Sequence, residues 1–293
     1  MVQHIAPDTG RRLTKVVTEG EKKSFRSAVG EWRQRNLEAD RDYEVEIDGC
    51  KYFVGDLAEE SHFRREMATT NKIHEETRIL FLTALALVAK EEEIVVTTGL
   101  PVNQHTPVIK RDLEQLLCGQ HRVRIKNGPE LKLNIQNIGI VPEGIGLYWD
   151  EVLSDQGTIH NIWLATQPVV RILEVGSRTI NLGTIAYRDQ KRLYLDRESD
   201  TLAYGYMALE AAEAQPTDEC LGAFARRIVA DASKAWLSYN PLKDVILLGG
   251  GGVLTLGSWL KKHYPISLTA RDPVYGNASG FRKMGIARWV NHR

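Results

Sequence analysis

The sequence predicts an α/β protein built from two similar halves. Three observations carry that expectation. Apolar, strand-like stretches alternate with helical ones along the 293 residues. An acid-x-Gly-x-Arg turn occurs twice, as Asp8, Gly10 and Arg12 in DTGRRLTKVV and as Glu174, Gly176 and Arg178 in EVGSRTINLG, 166 residues apart. Finally, KDVILL runs into four consecutive glycines, Gly249 to Gly252, and a helical pattern follows them.

HIAPDTG leads into a turn, and LTKVVTE reads as the returning strand. YEVEI and KYFV flank Asp48-Gly49, whose tolerance of positive φ predicts a tight two-residue hairpin. NKIHEETRILFLTALALVAK predicts a helix capped by Asn71 and buried on most faces from Ile79 onwards. EIVVTTGLP is a short apolar strand. In TPVIKRDLEQLLCG, Thr106 stands at the N-cap, Pro107 at the first helical position and Gly119 past the end. HRVRIKNGPELKLNIQNIGIVP reads as two strands around Asn127-Gly128. In the second half VVRILEV is an apolar strand, TINLGTIAY returns from it and KRLYLD is a third. Helices are expected over 201–214 and 218–239, split by Pro216. KDVILL is a buried strand, VLTLGSWLKKH the helix after the glycine run, and NASGFRKMGIARWVNH a last helix.

Composition narrows the function. Lys+Arg and Asp+Glu number 38 each, so no global field draws the chain to DNA or an anionic membrane. A net charge of zero also leaves little repulsion to oppose self-association. The longest apolar run, ILFLTALALVA, falls short of the roughly 20 residues needed to span a bilayer. MVQHIAPDTG lacks the basic start and apolar stretch of a signal peptide, so a cytoplasmic protein is expected. Cys50, Cys118 and Cys220 form neither a zinc motif nor a disulfide framework, and each reads as a small buried apolar residue. The eight histidines show no ligand spacing.

Glycine after an acid at a strand end lets the backbone come close to a ligand, with N–H groups facing it. Such amides suit phosphate oxygens, and Mg²⁺ between acid and phosphate makes the two compatible. Each turn therefore reads as half of a phosphate clamp. Asp8 would face the Mg²⁺, with Gly10, Arg11, Arg12, Leu13, Thr14 and Lys15 following it. Gly176, Ser177, Arg178 and Thr179 would form the second half. Lys15 would bring positive charge to the phosphates. For either turn alone an ordinary hairpin accounts for the pattern, and solvated side chains account for the three arginines. Four glycines in a row cost conformational entropy and pack poorly, so Gly249, Gly250, Gly251 and Gly252 read as a close approach of backbone to nucleotide. A dinucleotide fingerprint fails on spacing, because Thr255 stands where its third glycine should be.

Taken together, these motifs resemble those of the actin-like ATPases, most closely the bacterial ParM-type actins that segregate plasmids. Asp8, Gly10, Thr14 and Lys15 match the family's first phosphate motif. VPEGIG, over 141–146, resembles its first connecting motif, and EVGSRT matches the second phosphate motif in part. LLGGGGVL resembles the adenosine motif, DPVYGNASGFRKMG the second connecting motif, and YFVGDLA the ParM-like branch. The resemblance implies an actin-like fold of two similar, RNase H-like α/β domains with a nucleotide cleft between them. It places the first domain at 1–157, with a C-terminal helix 277–293 packing back on it, and the second at 158–276. It also implies Mg²⁺-dependent hydrolysis of ATP or GTP coupled to a polar filament of this chain in a bacterial cytoplasm. That filament would move plasmid DNA through a DNA-bound adaptor, without direct nucleic-acid or membrane binding.

On this resemblance Glu143 places the attacking water, and Glu174 holds the Mg²⁺ shell or the same water. Without it, Glu143 is simply an acid at a helix N-terminus favoured by the macrodipole, and Glu174 a strand-end surface carboxylate. The chain departs from the family at Glu174, where Asp is usual, at Asn181, where Asp is frequent, and at Pro7, where an apolar strand residue is preferred. A small-molecule kinase of the same superfold is the alternative. It needs a catalytic Asp aimed at a hydroxyl, and neither IWLATQPVV nor IVVTTGLPVNQ offers a clear one.

Overall fold

The computed structural model describes residues 2–34, 43–61, 64–66, 71–212 and 215–289. Contacts divide the chain into two compact units, Met1–Gly99 with Gln104–Ile140 and Leu100–Asn103 with Val141–Arg293. The division therefore falls near residue 140 rather than 157. The C-terminal helix packs on the helix that follows residue 144, and both belong to the second unit.

The first unit contains strands β1 (Gln3–Thr9), β2 (Leu13–Thr18), β3 (Glu21–Arg26), β4 (Ala28–Glu31), β5 (Tyr43–Ile47), β6 (Cys50–Val54), β7 (Arg64–Glu66), β8 (Glu93–Leu100), β9 (Gly119–Ile125) and β10 (Glu130–Pro142). Their order across the sheet is β3-β2-β1-β8-β10-β9-β5-β6-β4-β7. Asp48 and Gly49 turn β5 into β6 with φ of 51° and 85°, the mirror-image turn that the Asp-Gly pair predicts. Helix α1 (Glu75–Ala86) is buried from Ile79 to Ala86, as its apolar run requires. It starts four residues beyond Asn71, and its cap is His74, whose ring accepts from the Thr77 N–H. Asn71 instead accepts from Ile73 N, closing a local turn before the helix. Helix α2 (Pro107–Leu117) has its Thr106 cap and leading proline as expected.

Pro7 lies in β1, between β2 and β8. Its missing N–H is tolerated because the parallel pairing with β8 runs from Gln3 to Ile5 and stops short of it. Past that point the Thr98 hydroxyl donates to the Pro7 carbonyl at 2.8 Å.

The second unit contains helices α3 (Ile145–Val152) and α4 (Ile162–Ala165), strands β11 (Val169–Val175), β12 (Ile180–Arg188), β13 (Lys191–Tyr194) and β14 (Asp200–Leu202), helices α5 (Met207–Ala212) and α6 (Asp218–Ala235), strand β15 (Val245–Gly249), helix α7 (Val253–Lys261), strand β16 (Ser267–Thr269) and helix α8 (Gly276–Trp289). The expected helix at 201–214 is thus shorter: residues up to Leu202 pair with β12 instead, and residues 213 and 214 lie outside the described residues. Residues 290–293 of the expected last helix also lie outside them.

Strand periodicity sets the two faces of this sheet. Val170 and Ile172 of β11, Ile185 of β12, and Val245 and Leu247 of β15 pack with α3. Leu173, Val175, Ile180, Leu182, Ile246 and Leu248 pack on the other face with α6 and α7. Each such fully buried side chain contributes about 1.5–3 kcal/mol. The cysteines do not follow their simple expectation: Cys50 is exposed, Cys118 and Cys220 are half-buried, and all three are free thiols.

Candidate functional site

The two acid turns share one geometry. In the first, Asp8 of β1 pairs with Lys15 of β2, and in the second Glu174 of β11 pairs with Asn181 of β12. Gly10 and Gly176 occupy the same place in each. A Cβ on Gly10 would stand 2.7 Å from the Leu13 carbonyl oxygen, and one on Gly176 would stand 2.7 Å from that of Thr179. Glycine is therefore required by the hairpin itself. Both glycine amides also serve the turn: Gly10 N donates to Asp8 O at 2.9 Å, and Gly176 N to Thr179 O at 3.0 Å. The expectation that these N–H groups face a ligand is corrected for the glycines themselves.

The first turn is rigid and electrostatically focused. Asp8 is 4% exposed, and Lys15 Nζ donates to its Oδ2 at 2.8 Å. Burial pushes the Asp8 carboxyl up, but the ammonium groups of Lys15 and Lys72 outweigh it and hold it below the usual carboxylate range. Ser27 braces the turn, donating to the Gly10 carbonyl at 2.5 Å and meeting the buried Thr14 hydroxyl at 2.9 Å. Of the other residues here, Arg12 and Leu13 are exposed, while Arg11 is buried and donates to the Asn71 carbonyl at 3.4 Å. Nothing in the neighbouring residues marks Lys72, which is 2% exposed. A lysine ahead of a helix looks like a solvated side chain.

The second turn opens onto a cluster of carboxyls and amides. Period-2 alternation puts Glu174, Asn181 and Gly249 on the face toward α3. The junction VPEG ends β10 and begins α3, with Gly144 as N-cap at φ 84°. There Glu143 is 7% exposed and Glu174 8%, so Glu174 is a buried acid rather than a surface one. One amide bridges the two acids: Asn181 Nδ2 lies 2.9 Å from Glu174 Oε2 and 3.1 Å from Glu143 Oε2. Thr201 orients that amide by donating to Asn181 Oδ1 at 2.9 Å. Asn277, in the first turn of α8, donates to Glu174 Oε1 at 2.5 Å and accepts from Gly144 N at 3.1 Å. Neither Thr201 nor Asn277 is singled out by the sequence, since an amide opening a helix reads as a cap. Ser177, Arg178 and Thr179 are half-buried, and Tyr206 N and Met207 N bond the carbonyls of Gly176 and Ser177 at 2.9 and 2.8 Å.

The glycine run divides in two. A Cβ at Gly249 would meet Leu147 at 2.2 Å, one at Gly250 the Val175 carbonyl at 2.4 Å, and one at Gly252 the Val175 side chain at 2.5 Å. Gly250 N and Gly252 N are also bonded, to Pro273 O and Val175 O. Protein packing by itself requires glycine at these three positions. Only at Gly251 would a Cβ enter open space, and Gly251 is exposed.

Among the described residues no group of three or more His, Cys, Asp or Glu is arranged to hold a metal ion. The described residues therefore offer no protein-only metal cage. A hard cation carried in by phosphates fits the donor set better, since Mg²⁺ takes one or two carboxylates and keeps its waters. Asp8 has the ionised oxygen that such an ion needs. Among the described residues no helix is long and apolar enough to cross a membrane.

Residues 6–146 match the family model of the actin like proteins N terminal domain. A search of curated proteins finds no match. Solved structures match over nearly the whole chain. Ta0583, an archaeal actin homolog, superposes with a TM-score of 0.79 at 19% identity, covering 96% of this chain and 98% of its own. A non-polymerisable quadruple mutant of pCBH ParM gives 0.78 at 18%, covering 97% and 99%. A 15-stranded ParM filament from Clostridium botulinum gives 0.76 at 18%, covering 97% and 98%. Ta0583 has also been solved in complex with ADP. The N-terminal match covers just under half of the chain, and the whole-chain likeness to these solved structures shows the actin-like fold.

Proposed function

We propose that this chain binds a nucleoside triphosphate with Mg²⁺, hydrolyses it, and assembles into a polar filament. The observation that carries the reading is the repeated acid turn, with lysines at one acid and a second carboxyl group beside the other. A likeness in fold to a homolog solved with ADP and to a ParM filament supports both parts of it.

In this reading Lys15 and Lys72 supply positive charge to the phosphates. Asp8 faces the ion, which when bound neutralises the charge of the phosphate oxygens. Glu143, buried and held by Asn181, orients the attacking water, with Glu174 alongside. Positioning of this kind, rather than a shifted acid or base, carries most of phosphoryl transfer. Gly251 faces the nucleotide with Ser177, Arg178 and Thr179. An actin-like subunit has two different ends, so its head-to-tail contact is heterologous and propagates. Movement of plasmid DNA through a DNA-bound adaptor in the bacterial cytoplasm is the finer role that the family resemblance favours.

The test combines phosphate release with pelleting, in Mg·ATP and in Mg·GTP. Polymer should appear above a low-micromolar threshold, about −8 kcal/mol per added subunit. Glu143→Ala should lower turnover on the order of 10²-fold with affinity nearly unchanged, and its polymer should persist. A protein that binds nucleotide yet stays monomeric at tens of micromolar would favour the kinase instead.

A further inference from the structure

We propose that Asn277 is a positioning residue that fixes both carboxyl groups of the site from helix α8. This rests on the reading of Glu143 and Glu174 as the water-orienting pair. Asn277 is 2% exposed and uses both ends of its amide. Its Nδ2 donates to Glu174 Oε1 at 2.5 Å, 103 positions away in the chain. Its Oδ1 accepts from Gly144 N at 3.1 Å.

That second bond fills a gap. The N-cap of α3 is Gly144, which has no side chain to cap the helix. The orphan N–H groups of a helix start need acceptors when buried, and Asn277 provides one from another helix. Glu143 is consequently held on both sides, because its own N–H donates to Leu100 O at 2.7 Å and the next N–H is taken by Asn277. A single amide thus aligns the Glu174 carboxyl directly and the Glu143 carboxyl through the backbone of its turn.

The seat of α8 makes this placement rigid. A Cβ on Gly280 would stand 1.8 Å from the Gly146 carbonyl oxygen, so α8 and α3 meet backbone to backbone. One turn on, Lys283 pairs with Asp150 at 2.7 Å and bonds its carbonyl at 2.8 Å. Asn277 is therefore held to within the small tolerance that orientation of a reacting group demands.

Asn277→Asp separates the two bonds. It keeps the oxygen that caps Gly144 and replaces the donor to Glu174 by a second carboxylate oxygen. In the full-length protein with Mg·ATP and Mg·GTP, kcat should fall about 10- to 100-fold while the nucleotide Kd stays within about threefold. Glu174→Gln added to Asn277→Asp restores a donor facing an acceptor. The double variant should unfold at a higher temperature than Asn277→Asp alone, with a coupling of about tenfold in the folding equilibrium. Wild-type kcat in Asn277→Asp would overturn the proposal, and so would a loss confined to nucleotide affinity. If the wild type shows no turnover with either nucleotide, the hydrolysis reading fails, and the thermal cycle then decides. Coupling upholds the placement of Glu174 by Asn277, and additivity overturns it.

Discussion

Alanine at Gly250 and alanine at Gly251 should do opposite things, although the two positions are adjacent. At Gly250 the backbone has φ 82°, which costs an L-residue about 1–2 kcal/mol. The new Cβ would also stand 2.4 Å from the Val175 carbonyl oxygen. That oxygen cannot easily retreat, because Gly252 N bonds it at 3.0 Å. Together these should cost about 3 kcal/mol or more. At about 2–4 °C per kcal/mol, Tm should fall by about 6–12 °C. At Gly251 the backbone is outside the left-handed region and the Cβ meets nothing within 4 Å. Alanine there should restrict the unfolded chain and stabilise by about 0.4–1 kcal/mol, raising Tm by about 1–4 °C. It should nevertheless weaken Mg·ATP or Mg·GTP at least tenfold, or about 1.4 kcal/mol, because the methyl group occupies the place proposed for nucleotide. Differential scanning fluorimetry and calorimetric titration of both variants measure these quantities. Gly251→Ala with wild-type affinity for both nucleotides refutes the assignment of the run to nucleotide. Gly250→Ala with wild-type Tm refutes the packing argument.

Three further outcomes are expected. Asp8→Ala removes the carboxylate facing Lys15 and Lys72 and should cost about 3 kcal/mol in chemical denaturation; it should also weaken Mg·ATP more than Mg-free ATP, and unchanged values would count against the clamp. Burial pushes the Glu198 carboxyl up, but hydrogen bonds from Ser238 and Arg171 outweigh it and hold it below the ordinary value. Its stabilisation is then complete above about pH 4.3 and lost as pH falls through the lower folded value, so the wild type should lose more stability than Glu198→Gln between about pH 5 and 2, and parallel curves would refute this. Gly280→Ala must push α8 off α3 and should cost at least about 2 kcal/mol while lowering turnover through Asn277; a wild-type Tm would contradict the contact.

The parts of the fold that were legible in the sequence have a local cause. Asp48-Gly49 specified its own turn, and the Thr106-Pro107 start specified its own helix. The long strands of the second unit are legible because their largely apolar runs extend over five to nine residues. Strands β4, β7, β14 and β16 are three or four residues long, too short for a period to show. His74 displaced Asn71 as the cap because the chain first closes a turn at Asn71, a choice made by competing local bonds. Lys72 and Asn277 were illegible for a different reason. Their roles depend on partners supplied by distant segments, and nothing in the neighbouring residues encodes that.

The repeat goes deeper than the three residues that reveal it. The residue opposite each acid also corresponds, since Lys15 faces Asp8 and Asn181 faces Glu174 at the same offset of seven. What differs is the charge of that facing residue. In the first turn two ammonium groups surround one carboxylate, a surplus of positive charge that suits phosphate. In the second, Asn181 and Asn277 give hydrogen bonds without charge to Glu174, and Asn181 also gives one to Glu143. Oxygen acceptors held this way suit a water molecule and would repel phosphate. One hairpin geometry would then serve both of the tasks proposed for it, with a single facing residue to separate them. Asn181→Lys tests this directly. It should bring a cation to the second turn, pair with Glu174 as Lys15 pairs with Asp8, and raise affinity for nucleotide in the absence of Mg²⁺. Turnover should fall on the order of 10²-fold as Glu143 loses its amide partner. If turnover survives unchanged with lysine at 181, the facing residue is not what divides the labour between the turns.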